Sequence, residues 1–204
     1  MQVKAQGLLN AAQWIEREHG QDALRDVVRK CSPEVRDRYT SAMNIEWHPL
    51  EELIEFVEIA DELIGRGDGK LAERVGEEAA RANTKGLFRF VAQVATPGFL
   101  MKRIAGMWRQ FNDEGSMELL DVDDHACEIE VKDVPQPHTI FCAILTGWIR
   151  EVTRSVGRVS PLVRHSSCRA RGATRCLWDV RWTGTIMSEL LVNPIITPLV
   201  PAKR

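Results

Sequence analysis

The apolar residues of this chain keep two different periods, and the change between them constrains the fold more than any other feature. Up to about residue 115 they recur at helical spacing; from Ser116 onward they alternate, apart from one further helix. "AQGLLNAAQWIEREHG" is an amphipathic helix that stops at His19-Gly20, and "QDALRDVVRKC" follows as a second. "SPEVRDRYTSAM" opens with Ser32 as N-cap and Pro33 at the first helical position. Trp47-His48-Pro49 breaks the pattern before "LEELIEFVEIADELIG", which ends at Gly65. The "GRGDG" that follows lacks the Gly-Lys-Ser/Thr ending of a phosphate loop and reads as a turn. Two more helical segments span about Lys70 to Ala95, and Thr96-Pro97-Gly98 separates them from "FLMKRIAGMWRQFN".

"SMELLDV" and "HACEIEVKDV" then flank Asp123-Asp124 as a hairpin, with Cys127, Ile129 and Val131 on one face. "PHTIFCAILTGWIREVTRSVG" is a helix with Phe141, Ile144, Leu145, Trp148 and Val152 as its apolar stripe, ending at Gly157. "VRHSSCRARGATRCLWDVRW" closes the pattern as a second hairpin turning near Gly172. The order is a helical N-terminal half followed by strand-strand-helix-strand-strand. The expected fold class is α+β, N-terminal helices packed with a small antiparallel sheet.

The last hairpin carries the chemistry. With the turn at Gly172, Cys168 and Cys176 lie opposite one another and share a sheet face, with Cβ atoms about 5 Å apart. A disulfide, a catalytic thiol and a metal site that draws further ligands from elsewhere all use such a pair. The chain shows no basic stretch followed by an apolar core at its N-terminus, so a cytoplasmic protein is expected, and there cysteines stay reduced. That disfavours the disulfide. His165, three residues before Cys168, falls on the other face of a regular strand; a bulge near Ser166-Ser167 would bring it round. Among further donors, Cys142 lies in the first turns of the helix leading into this hairpin, so connectivity favours it over Cys31 and Cys127.

The spacing Cys142, then His165-x2-Cys168-x7-Cys176, resembles the zinc site of the 4-vinyl-reductase-type ligand-binding domain, in its version from aromatic-compound-sensing bacterial regulators. The same superfamily includes core subunits of the TRAPP vesicle-tethering complex. The motif likeness covers about Phe141 to Trp182, and "GLLNAAQWIEREHG" also resembles a paralogous family of myxobacterial proteins. The resemblance implies structural zinc held by Cys142, His165, Cys168 and Cys176, a pocket between helices and sheet, and a dimer. His165 stands where that family has a carboxylate, a change that imidazole tolerates as a zinc ligand.

At 204 residues one domain is expected over residues 1–184, with an apolar, proline-containing tail over 185–204 that packs on it. A net charge of −2 gives no field to recruit nucleic acid, and no uncharged apolar run is long enough to span a membrane. No nucleophile elbow, kinase motifs or dinucleotide fingerprint is present. A haem nitric-oxide sensor is set aside because its Tyr-x-Ser-x-Arg motif is missing: the only tyrosine, Tyr39, is followed by Thr40 and Ser41. His48 is a candidate for a cavity wall, whereas Trp14, Trp108 and Trp148 read as core. The functional expectation is a non-enzymatic, zinc-stabilised sensor or binding domain for a small apolar ligand or a protein partner. The alternative is an assembly adapter like the tethering subunits, with no small ligand.

Overall fold

The computed structural model describes residues 1–84, 105–123, 125–155 and 158–185. The N-terminal half holds β1 (Gln2–Lys4), α1 (Gln6–His19), α2 (Gln21–Lys30), α3 (Pro33–Ser41), β2 (Trp47–Pro49), α4 (Leu50–Leu63) and α5 (Lys70–Thr84). Ser32 caps α3 as its sequence predicts, its hydroxyl accepting from the Val35 N–H at 3.4 Å with Pro33 in the first turn. The β1–β2 pair is new: Val3 faces His48 in an antiparallel ladder of three residues a side, too short to leave a period in the sequence. It ties the N-terminus to the start of α4.

The C-terminal half holds α6 (Trp108–Phe111), β3 (Ser116–Leu120), β4 (Ala126–Lys132), α7 (Thr139–Ser155), β5 (Arg158–Val159), β6 (Leu162–Ser167), β7 (Cys176–Arg181) and β8 (Gly184–Thr185). Strands β3-β4-β7-β6 form one antiparallel sheet in that spatial order. The α+β class and the strand-strand-helix-strand-strand order are as expected. The helices expected beyond Thr84 and before Ala105, the end of α7 at Gly157, and the tail from 186 lie outside the described residues.

Two glycines set how α5 and α7 meet. A Cβ on Gly76 would stand 1.9 Å from the Ile144 carbonyl oxygen, and one on Gly147 would stand 1.8 Å from that of Glu73. The two backbones therefore approach as only glycine allows. Arg150 of α7 brackets the contact, donating to Glu73 Oε2 at 2.7 Å and to Glu77 Oε1 at 3.1 Å. Glu77 is buried, and Arg74 satisfies its other oxygen at 3.0 Å. On the sheet side, Trp178 Nε1 donates to Thr146 Oγ1 at 2.8 Å inside the core, which fixes β7 against α7.

The second hairpin turns at Gly172, which adopts φ +87°. Its ladder pairs Val163 with Val180 and His165 with Trp178, then shifts between His165 and Ser167. This is the bulge that the sequence required for the imidazole to join the thiols.

Candidate functional site: a four-donor cluster beside an apolar cavity

The bulge places His165 opposite Trp178, and the two rings stack with centroids 4.2 Å apart and planes 9° from parallel. Cys168 follows the bulge, Cys176 opens β7, and Cys142 enters from α7, its N–H bonded to the His138 carbonyl at 3.0 Å. One donor atom from each of Cys142, His165, Cys168 and Cys176 lies within 4.8 Å of the others. All three cysteines are buried and no disulfide joins them. Thiolates around a tetrahedral ion at ~2.3 Å stand roughly 3.8 Å apart, against up to 4.8 Å between the donors here. His165 Nε2 is buried without a hydrogen-bond partner among the described residues. The chemistry of the set, three sulfurs and an imidazole, suits a transition-metal ion.

The cluster's protons are shared. A hydrogen bond from the Cys142 thiol, with help from His165 and the Arg169 N–H at 3.3 Å, holds Cys176 down to about 4 against the cost of its burial. The same hydrogen bond, together with burial, pushes Cys142 up. A Cys176 thiolate accepting from a protonated Cys142 thiol is thus the pairing this hydrogen bond favours.

A second feature lies along α7. A cavity of about 100 Å³ is walled by Trp108, Phe141, Trp148, Met107 and Met117, with the amides of Gln6 and Asn10 on α1 among its polar lining. Among its described lining residues are no Cys, His, Ser, Thr, Asp, Glu or Tyr. Trp108 and Trp148, expected as core, line this cavity, and Trp108 meets Phe141 edge-on at 6.2 Å. A pocket between helices and sheet is expected from the resemblance, but not these walls, which come from segments far apart in the chain.

His48 does not line it. Its ring is fully buried under β1, with Nδ1 3.1 Å from Glu52 Oε2, and Arg38 Nε donates to the same oxygen at 3.0 Å. Burial lowers its pKa. Trp14 is core, as expected, edge-on to His19. Asp123 closes the first hairpin by accepting from the His125 and Ala126 N–H groups at 2.7 and 2.6 Å. Two arginines near Gly172 are engaged within the fold: Arg164 with Asp179 at 3.1 Å and Arg169 with the Val134 carbonyl at 2.9 Å.

No family model and no curated protein matches the chain. Solved structures do. An H-NOX protein from S. oneidensis in the Fe(II) ligation state aligns with TM-score 0.68 at 9% identity, covering 89% of this chain and 97% of that one. The fold is that of H-NOX domains. The Fe(II) unliganded H-NOX protein from K. algicida aligns at TM-score 0.65 and 7% identity over 90% and 98% of the two chains. A third structure, solved to probe heme distortion in the H-NOX family, aligns at TM-score 0.61 and 11% identity over 90% and 96%.

These neighbours correct the resemblance drawn from the motif. The similar structures are H-NOX domains rather than 4-vinyl-reductase or TRAPP proteins, so the family basis for zinc, for a vinyl-reductase-like domain and for the tethering-type adapter is withdrawn. The metal named for the similar structures is iron, in heme. A short cysteine pattern misled because a hairpin with paired thiols is a local device that unrelated folds share. The exclusion of haem nitric-oxide sensors was wrong about the fold, while the motif it relied on is indeed absent.

The residues present do not fit haem. The cavity offers no imidazole, thiolate or phenolate as an axial ligand among its described lining, and residues 85–104 contain no His, Cys or Tyr. At about 100 Å³ it is also well below the ~300–1,000 Å³ of pockets that take drug-sized molecules, and haem is no smaller than those.

Proposed function

We propose that this chain is a non-enzymatic binding domain of the sensor type, built on the H-NOX fold, that takes a small apolar ligand in the cavity beside α7. The observation that carries the reading is the cavity itself. Its described walls are aromatic and aliphatic, with a few amides, and hold no nucleophile, acid or base. Such a lining favours binding over chemistry. The Fe(II) and heme descriptions of the similar structures belong to those proteins; a cavity of about 100 Å³ whose described lining holds no imidazole, thiolate or phenolate does not carry them to this one. A protein partner or a second copy would read the liganded state. None of the described helices is long and apolar enough to cross a membrane.

Cys142, His165, Cys168 and Cys176 form, in this reading, a closed metal-ion site that fastens α7 to the β6–β7 hairpin. Its support is the 4.8 Å convergence of four donors. A bound ion would add its binding free energy to folding.

Two measurements test these statements. Thermal shifts with a panel of small apolar molecules should show saturable stabilisation by at least one; none stabilising removes the sensor reading. Elemental analysis of the purified protein should find about one metal ion per chain, lost in Cys168→Ser and Cys176→Ser together with stability. Metal-free wild-type protein of unchanged stability removes the metal site.

A further inference from the structure

The cavity's walls are more specific than "apolar". Four aromatic side chains, Trp108, Phe111, Phe141 and Trp148, are supplemented by the thioethers of Met107 and Met117. Ring edges and faces at this density, with sulfur beside them, complement a flat π-system better than a saturated chain. A dry cavity of ~150 Å³ accepts benzene. The present one, at about 100 Å³, is of the size class of a single ring and not of a larger molecule.

The polar lining says what substituent such a ring carries. The amides of Gln6 and Asn10 stand one helical turn apart on α1, and neither has a hydrogen-bond partner among the described residues. The one charged lining residue among those described is Lys4. Its ammonium already donates to the Ile45 carbonyl at 2.6 Å and sits 3.7 Å over the Trp47 ring. A carboxylate ligand would therefore find no uncommitted cation, and burying its charge would be costly. Amides, by contrast, donate to and accept from a neutral group.

We propose that this cavity binds a neutral single-ring aromatic molecule with one hydrogen-bonding substituent. The proposal rests on the small-ligand reading above and narrows it to a chemical class. Trp108 and Trp148 supply an intrinsic fluorescence signal at the site.

The test titrates the intact protein with benzyl alcohol, cyclohexylmethanol, benzoate and haemin, read by calorimetry, tryptophan fluorescence and absorption. Benzyl alcohol should bind saturably and about tenfold or more tighter than cyclohexylmethanol, which matches its shape without the π-system. Benzoate should bind at least about tenfold more weakly than the alcohol. Ala79→Phe, which fills the cavity from α5, should abolish binding with an unchanged circular dichroism spectrum; Phe141→Leu, which keeps an apolar wall, should erase the preference for the ring. Equal affinity for the ring and its saturated analogue overturns the aromatic class and leaves the small-ligand reading standing. Benzoate binding as tightly as the alcohol overturns the neutral-ligand assignment. No saturable binding by either alcohol, with no hit in the apolar panel, overturns both. Stoichiometric haemin uptake with a Soret band that Ala79→Phe removes overturns the exclusion of haem.

Discussion

Replacing Gly76 or Gly147 by alanine tests the packing that holds both the cavity and the cluster in place. To move a Cβ on Gly76 from 1.9 Å to an ordinary 3.4 Å contact with the Ile144 carbonyl, α5 and α7 must separate by about 1.5 Å. The obstructing atoms are backbone on both sides, so no rotamer change relieves the clash. Overpacking of this kind costs ~1–3 kcal/mol, and an immovable neighbour places the cost near the top. Alanine returns ~0.8–1 kcal/mol through its better helix propensity. The net loss is about 2 kcal/mol. At ~2–4 °C per kcal/mol for a chain of this size, Tm should fall by about 4–8 °C. Separation also stretches the 2.7 Å ion pair between Arg150 and Glu73, so the real loss should not be smaller. Gly7→Ala is the control, because its Cβ would meet only the Leu53 side chain at 3.4 Å. Differential scanning calorimetry of the three variants decides the matter. Gly76→Ala and Gly147→Ala melting at or above the wild-type temperature, alongside a neutral Gly7→Ala, would refute the close-approach argument.

Other expectations follow from individual buried groups. Burial lowers the His48 imidazole below its ordinary 6.5, although Glu52 beside it pulls upward. A histidine depressed in the native state is protonated first in the unfolded chain. Its stabilising contribution is therefore present above pH ~6.5 and is lost as pH falls below that. Wild-type Tm should drop more steeply between about pH 7 and about pH 5 than that of His48→Gln, and parallel curves would contradict this. Burial pushes the Cys31 thiol up to about 11, with its S–H bonded to the Val27 carbonyl at 3.3 Å. Iodoacetamide at about pH 8 should leave Cys31 unmodified in the folded protein; alkylation at the rate of an exposed thiol would show that the burial is not maintained.

Much of the architecture was legible in the sequence, and the reason is physical. The 3.6 period of α1, α4 and α7 and the alternation of Cys127, Ile129 and Val131 report burial on one face, and burial is what the folded chain requires of those positions. Gly172 marked its turn because few other residues accept its φ. The convergence of Cys142, His165, Cys168 and Cys176 was also legible, since two thiols across a turn and a third on the preceding helix leave little freedom. The cavity was not. Gln6, Ala79, Met107, Phe141 and Trp148 come together only through tertiary packing, and each reads as an ordinary helix residue in its own segment. Nor could the sequence see β1 and β2, whose three-residue ladder is made by long-range pairing between Val3 and His48. The family reading failed for a related reason: a local motif speaks for a hairpin, and the fold is decided by how the hairpin meets the helices.

The most direct test of the binding account is a methyl NMR spectrum of protein labelled at its methionines, titrated with benzyl alcohol. Met107 and Met117 line the cavity, whereas Met43 is 61% exposed and is not among the cavity's lining residues. The account expects the Met107 and Met117 resonances to move together and saturate at one equivalent bound while Met43 stays fixed. Movement of Met43 alone, or no saturable shift at either cavity methyl, would contradict it.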